Sequence, residues 1–279
     1  MANVLPREKQ LAILRCLVEG CSVRATERMV DVSRETVLSL LVRVGEGCEK
    51  LLDCTMRNLK CECIEVDEIW GFVQKKQRHV KKDEDPANVG DTWTYIALDA
   101  DTKLIPSFLI GKRTADSTNE FIADLASRLA TRPQITSDGL AQYIDAIEAA
   151  FGHDVDYGQV IKSYEAEPAG AGRYSPPKVT SIEKAIVFGD PDLESMSTSF
   201  VERQNLTMRM QIRRMTRLTN AFSKLTRNHK AATALHIAHY NFVRRHQTLR
   251  TSPAMAAGIT DTLWDMGQLL DAALDGVIP

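Results

Sequence analysis

Apolar residues recur every three or four positions through the first 55 residues of the chain, which predicts three helices. The apolar face of the first helix is formed by Leu11, Leu14 and Val18. Gly20 follows that helix and suits a C-terminal cap. A second, short helix is predicted from about Val23 to Met29, and Ser33 is a suitable N-cap for a third. The chain therefore begins with a small all-helical unit.

The third helix has the clearest pattern. Its apolar residues fall at i, i+3, i+4 and i+7 and leave Arg34 and Arg43 on the exposed side. These apolar residues are Val37, Leu40, Leu41 and Val44. Two helices joined by a tight turn are typical of a helix-turn-helix, in which the exposed arginines would contact DNA. A generic three-helix bundle explains the same spacing equally well.

The periodicity changes from helix to strand at about Ile64. Three successive segments, CIEVDEIWGFV, TWTYIALDA and LIPSFLIG, are rich in branched and aromatic residues and predict an antiparallel meander. A helix over about residues 117–130, a strand at QITSD, a helix near residues 143–151 and a strand near residues 155–161 follow. This order predicts an α/β fold with five strands. A Pro/Gly-rich loop over residues 165–177 and late helices beginning at Ser199 and near Ala221 and Asp261 complete the chain.

The composition is that of an ordinary globular protein. The 279 residues are 44% hydrophobic and 26% charged, which is enough for one large domain and a smaller one. No apolar run approaches the roughly 20 residues that span a bilayer, which predicts a cytoplasmic protein without membrane contact. The six cysteines lie in the first quarter without a C-x-x-C pair, which favours reduced thiols over a zinc site or disulfides.

Charge is distributed unevenly, although the net charge is only −2. Between Glu202 and Arg250 there are eleven basic residues and one acidic residue, Glu202 itself. Such a block predicts binding to a polyanion such as nucleic acid. Arg209 and Arg213 follow Glu202 at i+7 and i+11 in a predicted helix, so we expect them on roughly the same face, near DNA phosphates.

Three carboxylates occupy positions that this order of elements can bring together: Asp67 in the first strand, Asp138 after the fourth and Glu202 in a late helix. A carboxylate inside an apolar strand is costly to bury without a partner, and a divalent cation is one such partner. Hard oxygen ligands suit Mg²⁺ or Mn²⁺, and two such ions about 4 Å apart promote phosphodiester chemistry. Ser199 and Glu202 also form the pattern of a capping box, which is the structural alternative for this glutamate. Among 37 acidic residues, the positions alone are a weak signal.

The short sequence segments around these carboxylates resemble those of DDE transposases of the bacterial insertion-sequence-one family. EVDEIWGFV is similar to the segment with the family's first catalytic aspartate, which implies Asp67 rather than Glu68. TSDG in the same way implies Asp138, and FVERQNLTMR implies Glu202. The resemblance implies an RNase H-like catalytic core, a mixed five-stranded sheet with helices, in which the three residues hold two Mg²⁺ or Mn²⁺ ions.

Other segments extend the resemblance over about residues 10–250. GCSVRATERMVDVSRETVLSLL is similar to the helix-turn-helix with which the family binds transposon ends, and HYNFVRRHQ is similar to its closing helix. The second match implies that Arg245 or His246 contacts DNA phosphates. The chain departs from the best-known members in two ways. It has no Cys-rich zinc ribbon before the helix-turn-helix, and an insertion around residues 154–196, interpreted as a lid or a dimer contact, lengthens the interval before Glu202.

The predicted domains are a helix-turn-helix domain at residues 1–55, a catalytic domain at residues 60–250 and a helical tail at residues 251–279. The implied protein is a transposase that binds the double-stranded ends of a mobile element, cleaves them and joins them to target DNA. It is expected to act as a homo-oligomer on DNA in the bacterial cytoplasm. An RNase H-like nuclease that cuts without joining and a non-catalytic DNA-binding regulator are the alternatives.

Overall fold

The structure is a computed structural model that describes residues 5–152, 155–165, 179–216 and 219–276. The strands are β1 (Cys63–Val73), β2 (Gly90–Asp99), β3 (Phe108–Gly111), β4 (Gln134–Ser137), β5 (Tyr157–Tyr164) and β6 (Val179–Phe188). The helices are α1 (Arg7–Val18), α2 (Val23–Val30), α3 (Arg34–Thr55), α4 (Ala115–Arg128), α5 (Gln142–Phe151), α6 (Ser199–Gln211), α7 (Thr226–Ala238), α8 (Pro253–Ala256) and α9 (Met266–Asp275). The fold is therefore α/β, as the sequence predicts.

The strands form one mixed six-stranded sheet in the order β3-β2-β1-β4-β5-β6. β1, β2 and β3 make the predicted antiparallel meander, whereas β1, β4 and β5 run parallel to one another. Parallel neighbours need a crossover, and α4 and α5 lie in those connections. The pairing of Val66 with Ser137 places the end of β4 beside the middle of β1, which brings the following residues, Asp67 and Asp138, close together.

The prediction of five strands is wrong by one. β6 lies inside the segment that the sequence marked as an insertion, and it pairs antiparallel with β5 at the edge of the sheet. Nearly all of its side chains are exposed or half-exposed, so it lacks the apolar alternation of a strand with one buried face. Residues 166–178, which include most of the predicted Pro/Gly-rich loop, lie outside the described residues.

The three N-terminal helices are present, and Ser33 caps α3 by accepting a hydrogen bond from the Thr36 backbone N–H at 3.2 Å. α3 continues to Thr55 and buries its apolar face against α7 and α9. The predicted face is buried throughout, at Val37, Leu40, Leu41 and Val44. The N-terminal helices thus share one hydrophobic core with the C-terminal helices and with the sheet. All six cysteines are free thiols in the structure.

Two glycines in α3 permit the close approach of its neighbours. A Cβ atom at Gly45 would lie 2.3 Å from the carbonyl oxygen of Ala231 in α7. A Cβ atom at Gly47 would lie 1.9 Å from the carbonyl oxygen of Ala273 in α9. Both distances are far inside van der Waals contact with backbone atoms, so a larger residue at either position forces the helices apart.

We expect Gly45→Ala to lower the free energy of unfolding by about 2 kcal/mol, although alanine is the better helix former, because overpacking outweighs helix propensity here. Thermal denaturation should show a fall in Tm of about 4–8 °C. Ser39→Ala, at an exposed position of the same helix, is the control and should change stability by less than about 0.5 kcal/mol. An unchanged or raised Tm for Gly45→Ala would contradict this packing.

The late helices differ from prediction in their boundaries. The helix expected from Ala221 to Arg245 is present as α7 and continues as a π-helical turn at His239–Val243. The helix expected from Asp261 begins later, at Met266, where Asp265 and Gln268 form a capping box. Over the ranges that the structure describes, no helix is both long enough and apolar enough to cross a membrane.

Candidate metal centre

A cluster of carboxylates lies where β1 and β4 run side by side. Asp67 is in β1, Asp138 directly follows β4, and one oxygen from each of Asp67, Glu68 and Asp138 lies within 4.8 Å of the others. Asp138 also accepts a hydrogen bond from the Leu140 backbone N–H at 3.0 Å, so it begins a turn and faces the cluster. The structure therefore brings together two of the three predicted carboxylates and adds a third, Glu68.

Asp67 is the most perturbed member of the cluster. Burial raises the pKa of Asp67 to about 7, and the negative charges of Glu68, Asp138 and Glu202 act in the same direction. Its Oδ1 accepts from the Glu68 backbone N–H at 2.8 Å, and its Oδ2 accepts from the Asn205 side-chain amide at 2.7 Å. Asp67 is thus held from two sides, and a divalent cation would relieve the repulsion that disfavours its ionised form.

Glu68 is buried, and its carboxylate pairs with Arg113 at 2.6 Å and accepts from the Tyr143 hydroxyl at 3.2 Å. Burial and the charge of Asp138 raise the pKa of Glu68, and the charge of Arg113 opposes them. The Arg113 guanidinium lies 4.8 Å from the centre of the Trp93 ring. The resemblance implied Asp67 rather than Glu68, and the partners of Glu68 come from distant segments that leave no local signal.

A different carboxylate fixes the start of α6. Glu65 in β1 is 3% exposed, and its Oε2 accepts from the Val201 backbone N–H at 2.8 Å. The predicted capping box of Ser199 and Glu202 is wrong, because α6 begins at Ser199 and has no cap from the side chain of its N-cap residue, Thr198. A strand carboxylate satisfies the helix instead, and it favours the positive end of the helix dipole. This contact seats α6 on β1 beside Asp67.

Glu202 is on α6 and is exposed. Its Oε1 accepts from the Thr198 hydroxyl at 2.7 Å and forms an ion pair with Lys162 of β5. Its charge contributes to the raised pKa of Asp67, yet it is not a member of the cluster of three carboxylates found among the described residues. The structure therefore places Glu202 beside the cluster, held by Lys162, and its role as a ligand stays a prediction.

Asn205 lies one turn after Glu202 and is 8% exposed. Its amide nitrogen donates to Asp67, whereas its Oδ1 has no hydrogen-bond partner among the described residues. A buried carbonyl oxygen without a donor is costly, and a cation held by the neighbouring carboxylates would be a partner for it. The donor set therefore fits a hard divalent cation. The only sequence signal for Asn205 was its i+3 spacing from Glu202.

The predicted DNA-binding arginines are dispersed. The prediction that Arg213 shares a helical face with Arg209 is wrong, because α6 ends at Gln211 and Arg213 lies exposed in a 3-10 turn, Arg213–Met215. Arg209 donates to the Trp70 carbonyl oxygen at 3.4 Å. Arg34 and Arg43 are on α3, where Arg34 pairs with Glu27 at 3.3 Å and Arg43 donates to Gln10 at 3.5 Å.

The remaining predicted phosphate contacts follow the π-helical turn. Arg245 donates from Nε to the carbonyl oxygen of Arg250 at 2.7 Å. The Nδ1 atom of His246 lies 3.0 Å from the Thr248 hydroxyl, and burial lowers the pKa of His246. Both side chains are committed to contacts within their own loop, so their contact with DNA stays a prediction.

No model of a protein family matches the chain, and no curated protein matches it. Among solved structures, the chain is similar to the Mos1 strand transfer complex, at 17% identity over 53% of this chain and 58% of that chain, with a TM-score of 0.22. It is also similar to a Mos1 transposase paired-end complex with the left transposon end, at 15% identity over 53% and 59%, with a TM-score of 0.21. The matched part spans less than two thirds of those chains. Similarity at this level identifies neither a family nor an activity.

The raised pKa of Asp67 makes the stability of the metal-free protein depend on pH. Because the folded pKa of about 7 lies above the ordinary value of 3.8, Asp67 favours folding below about pH 4, and this contribution is lost as pH rises towards 7. One such group changes the free energy of unfolding by at most about 1.4 kcal/mol per pH unit. A divalent cation competes with the proton, so we expect the gain in Tm caused by Mg²⁺ or Mn²⁺ to grow between about pH 5 and pH 8.

Differential scanning calorimetry with and without Mg²⁺ measures this gain. In Asp67→Asn the gain should be small and nearly independent of pH. Asp145→Asn, which removes an exposed carboxylate from α5, should behave as the wild type. A gain of equal size at pH 5 and pH 8 in the wild type would show that Asp67 does not take part in metal binding.

Proposed function

We propose that the protein is a DDE transposase that cleaves DNA at the ends of a mobile element and transfers the cut strand to target DNA. One observation carries the proposal: carboxylates from two adjacent parallel strands, Asp67 and Asp138, approach within 4.8 Å, and the helix with Glu202 and Asn205 packs against the same strand. Metal-dependent hydrolysis and joining of phosphodiesters use such a cluster of hard oxygen ligands. The finer assignment, to the insertion-sequence-one family, rests on the resemblance of short sequence segments alone.

The surroundings of the cluster favour a polyanionic substrate. α6, the helix that meets Asp67, carries Arg203 and Arg209. At the cluster itself, Arg113 pairs with Glu68 and Lys162 pairs with Glu202. An acidic centre bordered by cations suits a phosphodiester backbone, because the arginines position the backbone while the carboxylates hold cations at one phosphate. A cluster meant only to bind a metal for stability would not need this basic border.

The observed order of helices and strands supports the RNase H-like core that the family resemblance implies. Three antiparallel strands, a helix, a strand, a helix and a further strand follow one another, and β6 extends the edge. In this arrangement Asp67 lies in β1 and Asp138 follows β4, and Glu202 lies on α6 in the same region. The interval between β5 and α6 is occupied in part by β6, which lengthens the core without separating these residues.

The roles of the residues follow from their contacts. Asp67 and Asp138 would hold the metal, Asn205 fixes the orientation of Asp67, and Arg113 neutralises Glu68 so that the centre does not carry excess negative charge. Two divalent ions, when bound at such a site, activate the attacking oxygen and stabilise the leaving oxygen. Water attacks the phosphate at the element end and releases a 3′-OH, which then attacks a target phosphate and displaces its 3′ oxygen. No covalent link between protein and DNA is required.

Recognition of element ends is assigned to the N-terminal helices. Arg34 and Arg43 project from α3, and the pair α2 and α3 is joined by the turn at Asp31, whose φ of 53° is left-handed. The partner is double-stranded DNA, first the element ends and then the target. Because a transposase must cut two ends, we propose that the protein acts as a homo-oligomer assembled on DNA.

The test uses the full chain with labelled duplexes from the DNA that flanks its coding sequence, a supercoiled target plasmid and Mg²⁺. We expect strand cleavage at an inverted repeat and products joined to the plasmid, both lost with a chelator. Cleavage without joined products would identify a nuclease. Binding of the flanking DNA without cleavage would identify a regulator and contradict the proposal.

A further inference from the structure

A cavity lies between the N-terminal helices and the end of α6, away from the carboxylate cluster. Its volume is about 770 Å³. The turn between α1 and α2 forms one side, and a Cβ atom at Gly20 in that turn would lie 2.8 Å from the carbonyl oxygen of Met210 in α6. The other sides come from α3, from residues 219–224 and from α7. The cavity therefore forms only where the N-terminal helices meet the helix of the candidate active site.

The cavity is strongly basic. Five cationic residues line it, and none of the described residues that line it is acidic. These residues are Arg24, Arg34, Arg213, Arg214 and Lys224. Arg34 pairs with Glu27 outside the lining, and Arg214 donates to the Ser223 hydroxyl at 3.3 Å. Cations converging on one cavity that no described carboxylate lines form a site for an anion.

Apolar side chains and one imidazole form part of the cavity lining. His236 of α7 lines it, is 2% exposed, and has no hydrogen-bond partner for either ring nitrogen among the described residues. Burial lowers the pKa of His236 to about 3, so the ring is neutral and offers one donor and one acceptor. Leu41, Phe222 and Leu235 line the cavity around it. An orphaned donor and acceptor beside an aromatic ring suit a planar, polar group such as a nucleobase.

We propose that this cavity binds one unpaired nucleotide of the DNA, with its phosphate among the arginines and Lys224 and its base against Phe222 and His236. An inorganic phosphate alone would leave most of the volume empty, whereas ligand sites of several hundred Å³ suit an organic ligand of nucleotide size. Extruding a base costs stacking free energy, which the aromatic contact and the phosphate contacts offset. The inference deepens the proposed function, because the nucleotide belongs to the same DNA that is cleaved.

α6 sets the distance between the cavity and the cluster. Glu202 lies near its start and Gln211 at its end, and nine residues at 1.5 Å each span about 14 Å. Duplex DNA rises about 3.4 Å per base pair. The extruded nucleotide is therefore expected about four base pairs from the cleaved phosphate.

The experiment measures 2-aminopurine fluorescence in duplexes bound by the full chain, in Ca²⁺ and without Mg²⁺ so that binding is separated from cleavage. The fluorescent base is placed in turn at each position near the element end, and a short single-stranded oligonucleotide and inorganic phosphate serve as further probes. We expect brightening at one position, about four base pairs from the cut. We also expect competition by the oligonucleotide, and none by inorganic phosphate at equal concentration.

Two variants separate the phosphate from the base. Lys224→Ala should weaken DNA binding severalfold and reduce the slope of log affinity against log salt by about one. Lys230→Ala, which removes an exposed cation that does not line the cavity from the same stretch of chain, should leave the fluorescence unchanged. Ala232→Phe, which fills the cavity without changing charge, should abolish the brightening and weaken binding about tenfold with the salt slope unchanged.

Several outcomes would overturn the proposal: brightening at no position in DNA that is bound, equal effects of Lys224→Ala and Lys230→Ala, or full brightening in Ala232→Phe. If circular dichroism showed that Ala232→Phe is unfolded, the lysine pair and the oligonucleotide competition would still decide. If the protein brightens the probe but never cleaves DNA, the cavity proposal stands and the proposed transposase function is wrong. If the protein cleaves DNA without brightening the probe, the proposed function stands and the cavity proposal is wrong.

Discussion

Asp67→Asn is expected to lower the rate of metal-dependent DNA cleavage by about 10³-fold or more, equivalent to about 4 kcal/mol of transition-state stabilisation. The substitution keeps the shape of the side chain but removes the charge that lies within 4.8 Å of the oxygens of Glu68 and Asp138. DNA affinity should stay level, because the basic residues that are proposed to contact phosphates are unchanged. The measurement is the single-turnover cleavage rate of end DNA at saturating protein, across a range of Mg²⁺ and Mn²⁺ concentrations.

The matched control is Asp145→Asn, an exposed carboxylate on α5 that contacts none of the cluster. It should cleave at the wild-type rate. Asn205→Ala removes the hydrogen bond to Asp67 and the amide oxygen that would face the cation, and it leaves every carboxylate in place. We expect a fall of about tenfold to a hundredfold for this variant, with a higher metal concentration at half-maximal rate. Wild-type activity in Asp67→Asn would remove the cluster from the mechanism.

Much of the framework is readable from local sequence. The meander follows from apolar, branched segments, and the turn after Val30 follows from Ser33 and the apolar face of α3, which forms as predicted. The order of elements can bring Asp67 and Asp138 together, but the family resemblance singled them out among 37 acidic residues. The meander and the apolar face of α3 depend on residues within a few positions of one another, so periodicity and turn chemistry determine them.

The parts that sequence reasoning missed depend on contacts between distant segments. Glu65 rather than Ser199 serves the start of α6, and its partner Val201 is 136 residues away. Glu68 gains Arg113 and Tyr143 from two other elements. No local pattern encodes such pairs. β6 was missed for another reason, since an edge strand with exposed side chains has no buried face to impose alternation.

Glu202→Gln is expected to lower the cleavage rate by about 10²-fold or more while DNA affinity stays level or rises slightly. The structure makes this test sharper than the sequence did, because the Glu202 carboxylate is held by Lys162 and by the Thr198 hydroxyl, and no capping box with Ser199 forms. Glutamine still accepts the Thr198 hydrogen bond, so the local structure should persist. The loss would come from the missing charge near Asp67, whose pKa already reflects Glu202.

Lys162→Met tests what the ion pair does. If Glu202 turns to the metal during the reaction, removing Lys162 frees the carboxylate, and the metal concentration at half-maximal rate should fall or stay level while cleavage persists. If Lys162 is needed to hold Glu202 in place, the rate should fall together with that of Glu202→Gln, and the double variant should be no worse than either single one.

Glu194→Gln, an exposed glutamate in the turn before α6, is the matched control and should keep the wild-type rate. Wild-type cleavage by Glu202→Gln would leave Asp67, Glu68, Asp138 and Asn205 as the metal-binding residues and assign Glu202 to the anchoring of β5 against α6.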